Sequence, residues 1–235
     1  MRKYLAELLG TFALVFSGTG AIVIDTVTAG GVTHVGIAFT FGLIVMAMIY
    51  ALGDASGAHF NPAVTIGFFL AKRFRGACVL PYIGSQLLGG ILASAVLRLL
   101  FGNIARLGAT LPAGPAMQSF GLEVILTAIL MFVILSVATG SKEQGLMAGI
   151  AIGGTVGLEA MFAGPVCGAS MNPVRSIAPA LVSGHLEFLW VYIIAPLVGA
   201  ALAVPCWLVT RSDPATPASL PVSHASQTTR RRAET

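Results

Sequence analysis

The 235-residue chain has little charge: Asp, Glu, Lys and Arg make up 9% of it, against about a quarter in soluble proteins. Apolar runs recur along most of its length, and a soluble fold would have to bury them with almost no charge left for the surface. A soluble enzyme is therefore all but excluded. Cysteine is scarce too. Cys78, Cys167 and Cys206 are scattered and form no Cys-x-x-Cys pair, so neither a disulfide framework nor a structural zinc site is expected. The apolar runs contain no His-Glu-x-x-His box and no Ser/His/Asp set, which leaves nothing for an intramembrane enzyme, a cofactor or a metal. The net charge of +4 comes from Lys and Arg residues lying between apolar runs. It implies no nucleic-acid partner.

What fills the sequence instead is hydrophobic, 56% of all residues, and the partner this implies is a lipid bilayer. Spans are expected at about Tyr4–Ile24, Val35–Leu52, Val79–Phe101, Phe120–Thr139, Gly145–Phe162 and Phe188–Thr210. Each is close to the roughly 20 apolar residues that cross a 30 Å hydrocarbon layer as a helix. The first is read as mature structure, because it is too long for a signal peptide and reaches Asp25 without a small-residue cleavage pattern. Placing both termini in the cytoplasm puts Arg2, Lys3, Lys72, Arg73, Arg75, Lys142, Arg211 and Arg230–Arg232 inside, leaving Arg98 and Arg106 near the outer face. Short loops and the missing signal peptide fit a bacterial inner membrane. Residues 1–210 are expected to form the membrane domain, and 211–235, rich in Pro, Ser, Thr and Arg, a disordered cytoplasmic tail.

The chain also repeats itself, over about 4–101 and 120–210. Glu7 lies in Ala-Glu-Leu-Leu-Gly-Thr-Phe and Glu123 in Leu-Glu-Val-Ile-Leu-Thr-Ala, and each half later carries Gly-Ala-x-x-Asn-Pro, at Gly57–Pro62 and Gly168–Pro173. Three spans per half is an odd number, so the second half must be inverted relative to the first. The apolar stretch after each Asn-Pro, Pro62–Leu70 and Pro173 to about Leu181, is too short to span. Asn is a favoured helix cap and Pro a favoured first residue, so each box marks the start of a half-helix. Inversion brings the two N-termini together near the midplane. The Gly-Ala approach to each Asn is read as extended backbone, tolerated at that depth only where it lines a watery cavity.

With these motifs the sequence resembles the aquaporin, or major intrinsic protein, family over about residues 4–210. Ser56-Gly57-Ala58-His59-Phe60-Asn61-Pro62-Ala63-Val64-Thr65 matches the family signature closely, and the second box reads Asn172-Pro173-Val174, with Val where Ala is usual. The resemblance implies an all-α membrane protein of six transmembrane helices and two re-entrant half-helices in two inverted repeats. It also implies a homotetramer with one pore per protomer. In the family, both Asn amides donate to passing oxygen atoms, and the position of Arg175 supplies the arginine of the narrowest constriction. The bland alternative is a structural ion pair of Arg175 with Glu159 or Glu187.

Carried over by spacing, the other constriction positions are Phe41, 20 residues before Asn61, with Ala160 and Ala169, 12 and three before Asn172. Water-selective relatives place histidine at the position of Ala160. A methyl group there widens the bore and removes a polar contact, implying solutes larger than water. Gly164-Pro165-Val166, taken as loop, and Tyr192-Ile193 resemble glycerol-conducting and nodulin-like plant channels. Ser176 speaks against strict glycerol specificity, since glycerol facilitators typically carry Asp there.

Glu7 and Glu123 are expected to brace the irregular backbone by accepting N–H bonds. Vestibule candidates are His59, which alternatively holds the loop, Cys167, for which an inert buried thiol is the favoured reading, and Glu159, which has no counterpart in the repeat. His34 and His185 read as loop or interface residues. Gly145, Gly149, Gly153 and Gly157 form a smooth packing face. The expected function is passive passage of water and small uncharged solutes, glycerol-like polyols or metalloid hydroxides such as arsenite, with ions and protons excluded. A strict water channel and a proton-coupled transporter are the rivals, the latter short of ionisable groups in its spans.

Overall fold

The computed structural model describes residues 1–139 and 145–211. Lys142, Arg230–Arg232 and the expected tail from 212 onward lie outside the described residues. Within them are eight α-helices: α1 Arg2–Val27, α2 Thr33–Ser56, α3 Pro62–Leu70, α4 Val79–Phe101, α5 Ala116–Ala138, α6 Ala148–Cys167, α7 Pro173–Ser183 and α8 Leu189–Thr210. Six are long and apolar enough to cross a membrane, and α3 and α7, of 9 and 11 residues, are not. At 1.5 Å per residue the two short helices, set N-terminus to N-terminus, together cover about the 30 Å of a hydrocarbon core.

The packing repeats with the sequence. α1 packs on α2 and α4, α5 correspondingly on α6 and α8, and each half-helix also lies against the last helix of the other half, α3 on α8 and α7 on α4. Glycine makes the matching close approaches possible. A Cβ at Gly89 would collide with the carbonyl oxygen of Leu8, and one at Gly199 with that of Val124. Leu8 and Val124 each follow a buried glutamate, so both glutamate helices are pinned by the same device.

α6 runs on to Cys167 and takes in Gly164, Pro165 and Val166, which the sequence reading had placed in a loop. Pro165 has no N–H to give the carbonyl of Met161, four residues back. His34 Nε2 donates to that oxygen instead, at 2.7 Å, which explains how a helix continues through proline. His34 is thus a clamp between α2 and α6. Three of the four stripe glycines lie on α6 and face α2: Gly149 meets the Tyr50 ring, Gly153 lies against Gly42 and Met46, and Gly157 against Ala38 and Gly42. Gly145 meets nothing.

A Cβ built on Gly42 would stand 2.6 Å from the Gly153 oxygen and 3.0 Å from the Gly157 Cα, whereas one on Gly154 meets nothing within 4 Å. Backbone cannot swing aside, so Gly42→Ala is expected to cost about 1–3 kcal/mol by overpacking. Gly154→Ala is expected to be neutral or slightly stabilising through helix propensity. Thermal unfolding of the two variants in detergent checks this, and equal midpoints would refute the close α2–α6 contact.

Candidate pore and selectivity filter

Asn61 and Asn172 sit in extended backbone as N-caps of α3 and α7. Asn61 Oδ1 accepts from the amide of Ala63 at 2.8 Å, and Asn172 Oδ1 from those of Val174 and Arg175 at 3.0 and 3.3 Å. Pro62 and Pro173 follow as first helical residues. The approach to each Asn differs from the extended chain expected of it. Gly57, Ala58 and Phe60 have φ of 85°, 52° and 48°, and Gly168, Ala169 and Met171 have 82°, 40° and 52°. These are the same three offsets before each Asn. A left-handed conformation at a non-glycine residue costs on the order of 1–3 kcal/mol, so the surroundings must impose it.

The surroundings that do so are the two glutamates, both fully buried. Glu7 Oε1 accepts from the His59 amide at 2.9 Å and Oε2 from the Phe60 amide at 2.8 Å; Glu123 accepts from Ser170 and Met171, the matching residues, at 2.7 and 2.8 Å. Glu7 gains two more donors, Ser56 Oγ and Gln86 Nε2, each at 2.7 Å. Across the junction the halves lock reciprocally. Asn61 Nδ2 donates to the Met171 carbonyl at 2.7 Å, and Asn172 Nδ2 to the Phe60 carbonyl at 2.9 Å. A side-chain amide has two N–H donors. One from each Asn is spent on the opposite loop, which leaves one apiece for the passage beside them.

Two cavities meet just beyond this junction. One, of about 450 Å³, is bordered by His34, Arg106 and Thr110; the other, of about 120 Å³, by His59, Asn61 and Asn172. Four residues border both: Phe41, Ala160, Ala169 and Arg175. They are the four constriction positions taken from spacing, and the structure brings them together as the partition between the cavities. Arg175 is 3% exposed. Its Nη1 donates to the Gly108 carbonyl at 2.8 Å, and its guanidinium carbon lies 4.9 Å from the Phe41 ring centroid. Among the described residues no carboxylate comes within ion-pair distance of it, so the pairing with Glu159 or Glu187 is replaced by a carbonyl and a ring; Glu187 instead faces His185 at 3.7 Å. Phe41 is seated by Gly18, where a Cβ would run into its ring.

Of the three vestibule candidates, only His59 borders either of these two cavities. It is buried, bonds Thr65 Oγ1 through Nδ1 at 3.1 Å and stacks on Phe68 with ring centroids 4.8 Å apart. Cys167 is fully buried, its Sγ turned to the Ala163 carbonyl at 3.5 Å. Glu159 borders neither cavity. One position from Ala160 is a 100° rotation on a helix, and that rotation turns its carboxylate away from the passage to a buried place with no hydrogen-bond partner among the described residues. Ala63 and Val174 are likewise buried outside the passage, and Val174 Cγ1 fills the space above Gly90. The unusual Val is therefore absorbed in helix packing.

Sequence reasoning missed the segment that holds the arginine. Ala105, Arg106 and Leu107 all have φ near 50°, and this turn presents the Gly108 carbonyl to Arg175. Thr110 Oγ1 donates to Ser176 Oγ at 2.7 Å, and Ser176 and Ser170 share a 2.6 Å hydrogen bond. Ser176, noted only for not being Asp, is thus a tie between the outer segment and the second box. Gln86, a polar amide in an apolar span, was the one legible sign of the extra support for Glu7.

Six spans enclosing two abutting half-helices, with a single arginine in the partition between two cavities, define a membrane channel. The chain belongs to the major intrinsic protein family, whose model matches residues 1–207, and as such it is a channel and not an enzyme. It is similar to Aquaporin NIP1-1 of Zea mays, 48% identical over 201 residues that cover 85% of this chain and 71% of the maize protein. It is also similar to Nodulin-26 of Glycine max, 47% identical over 201 residues, covering 85% and 74%. Among solved structures it resembles the aquaglyceroporin from Plasmodium falciparum with a TM-score of 0.77 and 27% identity, covering 88% of this chain and 94% of that one. The protein is integral to a membrane, while relatives from plants lend no support to the bacterial inner membrane in particular.

Glu123→Gln puts an N–H₂ group where one of two backbone amides needs an acceptor. Leaving a buried donor unpaired costs about 1–3 kcal/mol, so the thermal midpoint of the purified variant is expected to fall correspondingly. An unchanged midpoint would deny the glutamate its bracing role.

Proposed function

We propose that the pore passes water and small uncharged solutes down their gradients, including solutes larger than water of the glycerol-like polyol or metalloid hydroxide class, and excludes ions and protons. The observation that carries this reading is the composition of the partition: one aromatic ring, two methyl groups and one guanidinium. A ring with a single polar member offers donors to a hydroxyl on one side and apolar contact to a carbon skeleton on the other, and two alanines leave room for that skeleton. Similarity to an aquaglyceroporin supports the same reading.

Exclusion of charge follows from two features. Each half-helix N-terminus carries about half a positive elementary charge, and Arg175 adds a full one, so a cation shedding its hydration shell meets repulsion twice. The free amide hydrogens of Asn61 and Asn172 donate to the oxygen of a water between them. That water then points both its own hydrogens outward, and a proton relay through it is interrupted.

Both termini are proposed to be cytoplasmic. Among the described residues, the face holding the N-terminus carries Arg2, Lys3, Lys72, Arg73, Arg75 and Arg211 against Asp54, whereas the opposite face balances Arg98 and Arg106 with Asp25 and Glu187. A homotetramer, with one such pore in each protomer, is proposed from the family resemblance, and cross-linking in the membrane tests it.

Stopped-flow light scattering on proteoliposomes with water, glycerol, urea and arsenite tests the solute reading. Ala160→His returns a bulky polar ring to the partition. It is expected to cut glycerol-class flux by roughly tenfold or more while lowering water flux much less. Equal loss of both, or no solute flux above bare lipid in the parent, would defeat the proposal.

A further inference from the structure

Two arginines far apart in sequence converge on one indole at the face that holds the N-terminus. The guanidinium of Arg73, just past the end of α3, lies 5.6 Å from the Trp207 ring centroid, and that of Arg211, at the end of α8, lies 5.2 Å from it. The backbone that carries each arginine is held in place. The Arg73 amide donates to the Phe68 carbonyl at 2.8 Å in a turn that forces Lys72 to a φ of 58°, and the Arg211 amide donates to the Trp207 carbonyl at 2.9 Å. Trp207 itself is buried, whereas both arginines are exposed. Cation–π attraction holds each guanidinium near the ring, but it does nothing for their mutual repulsion. Among the described residues no carboxylate lies within ion-pair distance of either, and Lys72 and Arg75 add positive charge on the same turn.

The described residues supply no anion to offset this charge, and the surroundings say what kind would fit. On the membrane side of Arg73, Phe69 and Leu70 are both 44% exposed; on that of Arg211, Leu208 and Val209 are 46% and 86% exposed. The site is therefore basic at the level of the headgroups and apolar directly beneath, a profile that suits a phosphate carrying acyl chains better than a soluble anion. We propose that Arg73, Arg211 and Trp207 form a binding site for the headgroup of an anionic phospholipid, whose acyl chains lie along the exposed ends of α3 and α8. Because α3 is capped by Asn61, the site sits at the C-terminal end of a half-helix whose other end borders the proposed pore.

The test uses Trp207 as its own reporter. The full chain with Trp190→Phe, which leaves Trp207 as the sole tryptophan, is reconstituted with acyl-brominated phosphatidylglycerol or acyl-brominated phosphatidylcholine, and fluorescence quenching gives the relative affinity. At about fivefold per basic residue near the surface, Trp207 is expected to prefer phosphatidylglycerol by at least that factor, and Arg73→Gln combined with Arg211→Gln to abolish the preference. Water permeability in zwitterionic vesicles shows that the double variant is folded, and Arg73→Lys combined with Arg211→Lys is expected to retain a preference through charge alone. Equal quenching by the two lipids in the parent, or a preference that survives the glutamine pair, overturns the proposal. So does displacement by inorganic phosphate at constant ionic strength, which would make the ligand a soluble anion.

Discussion

Backbone in the hydrocarbon layer has no water to turn to, so every N–H of an unwound segment at that depth needs a partner supplied by the protein. Here the two unwound segments, 57–60 and 168–171, are strained as well as unwound, with three left-handed residues in each. What makes them tolerable is a carboxylate placed one helix away, accepting the two amides immediately before each Asn. Without Glu7 and Glu123 the half-helices would have no fixed starting points and the Asn side chains no fixed direction. The glycines at 89 and 199 serve the same end, since they let α4 and α8 press against the backbone beside each glutamate.

The caps convert this support into a passage. An Asn that caps its own helix with Oδ1 has its Nδ2 group left over, and each Nδ2 reaches the carbonyl before the other Asn. The two halves thereby fix each other's register, and the point where they do so is also the point of greatest positive potential from the two helix ends. That positive potential, on which the proposed exclusion of ions rests, is in this sense a by-product of how the halves are joined. The proposed selectivity among neutral solutes is separate, because the partition of Phe41, Ala160, Ala169 and Arg175 lies beyond the junction and draws on α2 and α6 as well as the second box.

Much of this was legible because the signals are local. Asn-Pro announces a capped helix, nine apolar residues cannot cross a bilayer, and a duplicated glutamate inside apolar runs calls for a duplicated role. The family resemblance then located the partition by spacing alone. What escaped was conformation that its residues do not advertise. Ala58, Phe60, Ala169 and Met171 are not types that signal positive φ, which is why the approaches read as extended. The same holds for Ala105-Arg106-Leu107, and no sequence rule would aim the Gly108 carbonyl at an arginine 67 residues away. Pro165 misled in the opposite direction, because the donor that lets α6 continue through it is His34, 127 residues distant from the carbonyl it serves.

The two halves share a plan but not a task. Glu7 takes four donors, and its loop is further tied through Gln86, Thr65 and His59 into a ring cluster with Phe68, Phe74 and Tyr82. Glu123 takes its two backbone amides, and, the bond from Asn61 to the Met171 carbonyl aside, the side-chain ties of its loop run outward through Ser170 and Ser176 to Thr110. The first loop is therefore anchored to the helices around it, and the second to a connecting segment, buried at Leu107, Gly108 and Thr110, that also holds Arg175. A change in residues 104–110 acts directly on the arginine and the second loop, and reaches the first only through the reciprocal Asn bonds at the junction. Under the proposed function, what the pore admits accordingly depends on a segment outside the partition itself, since moving the Gly108 carbonyl moves the guanidinium.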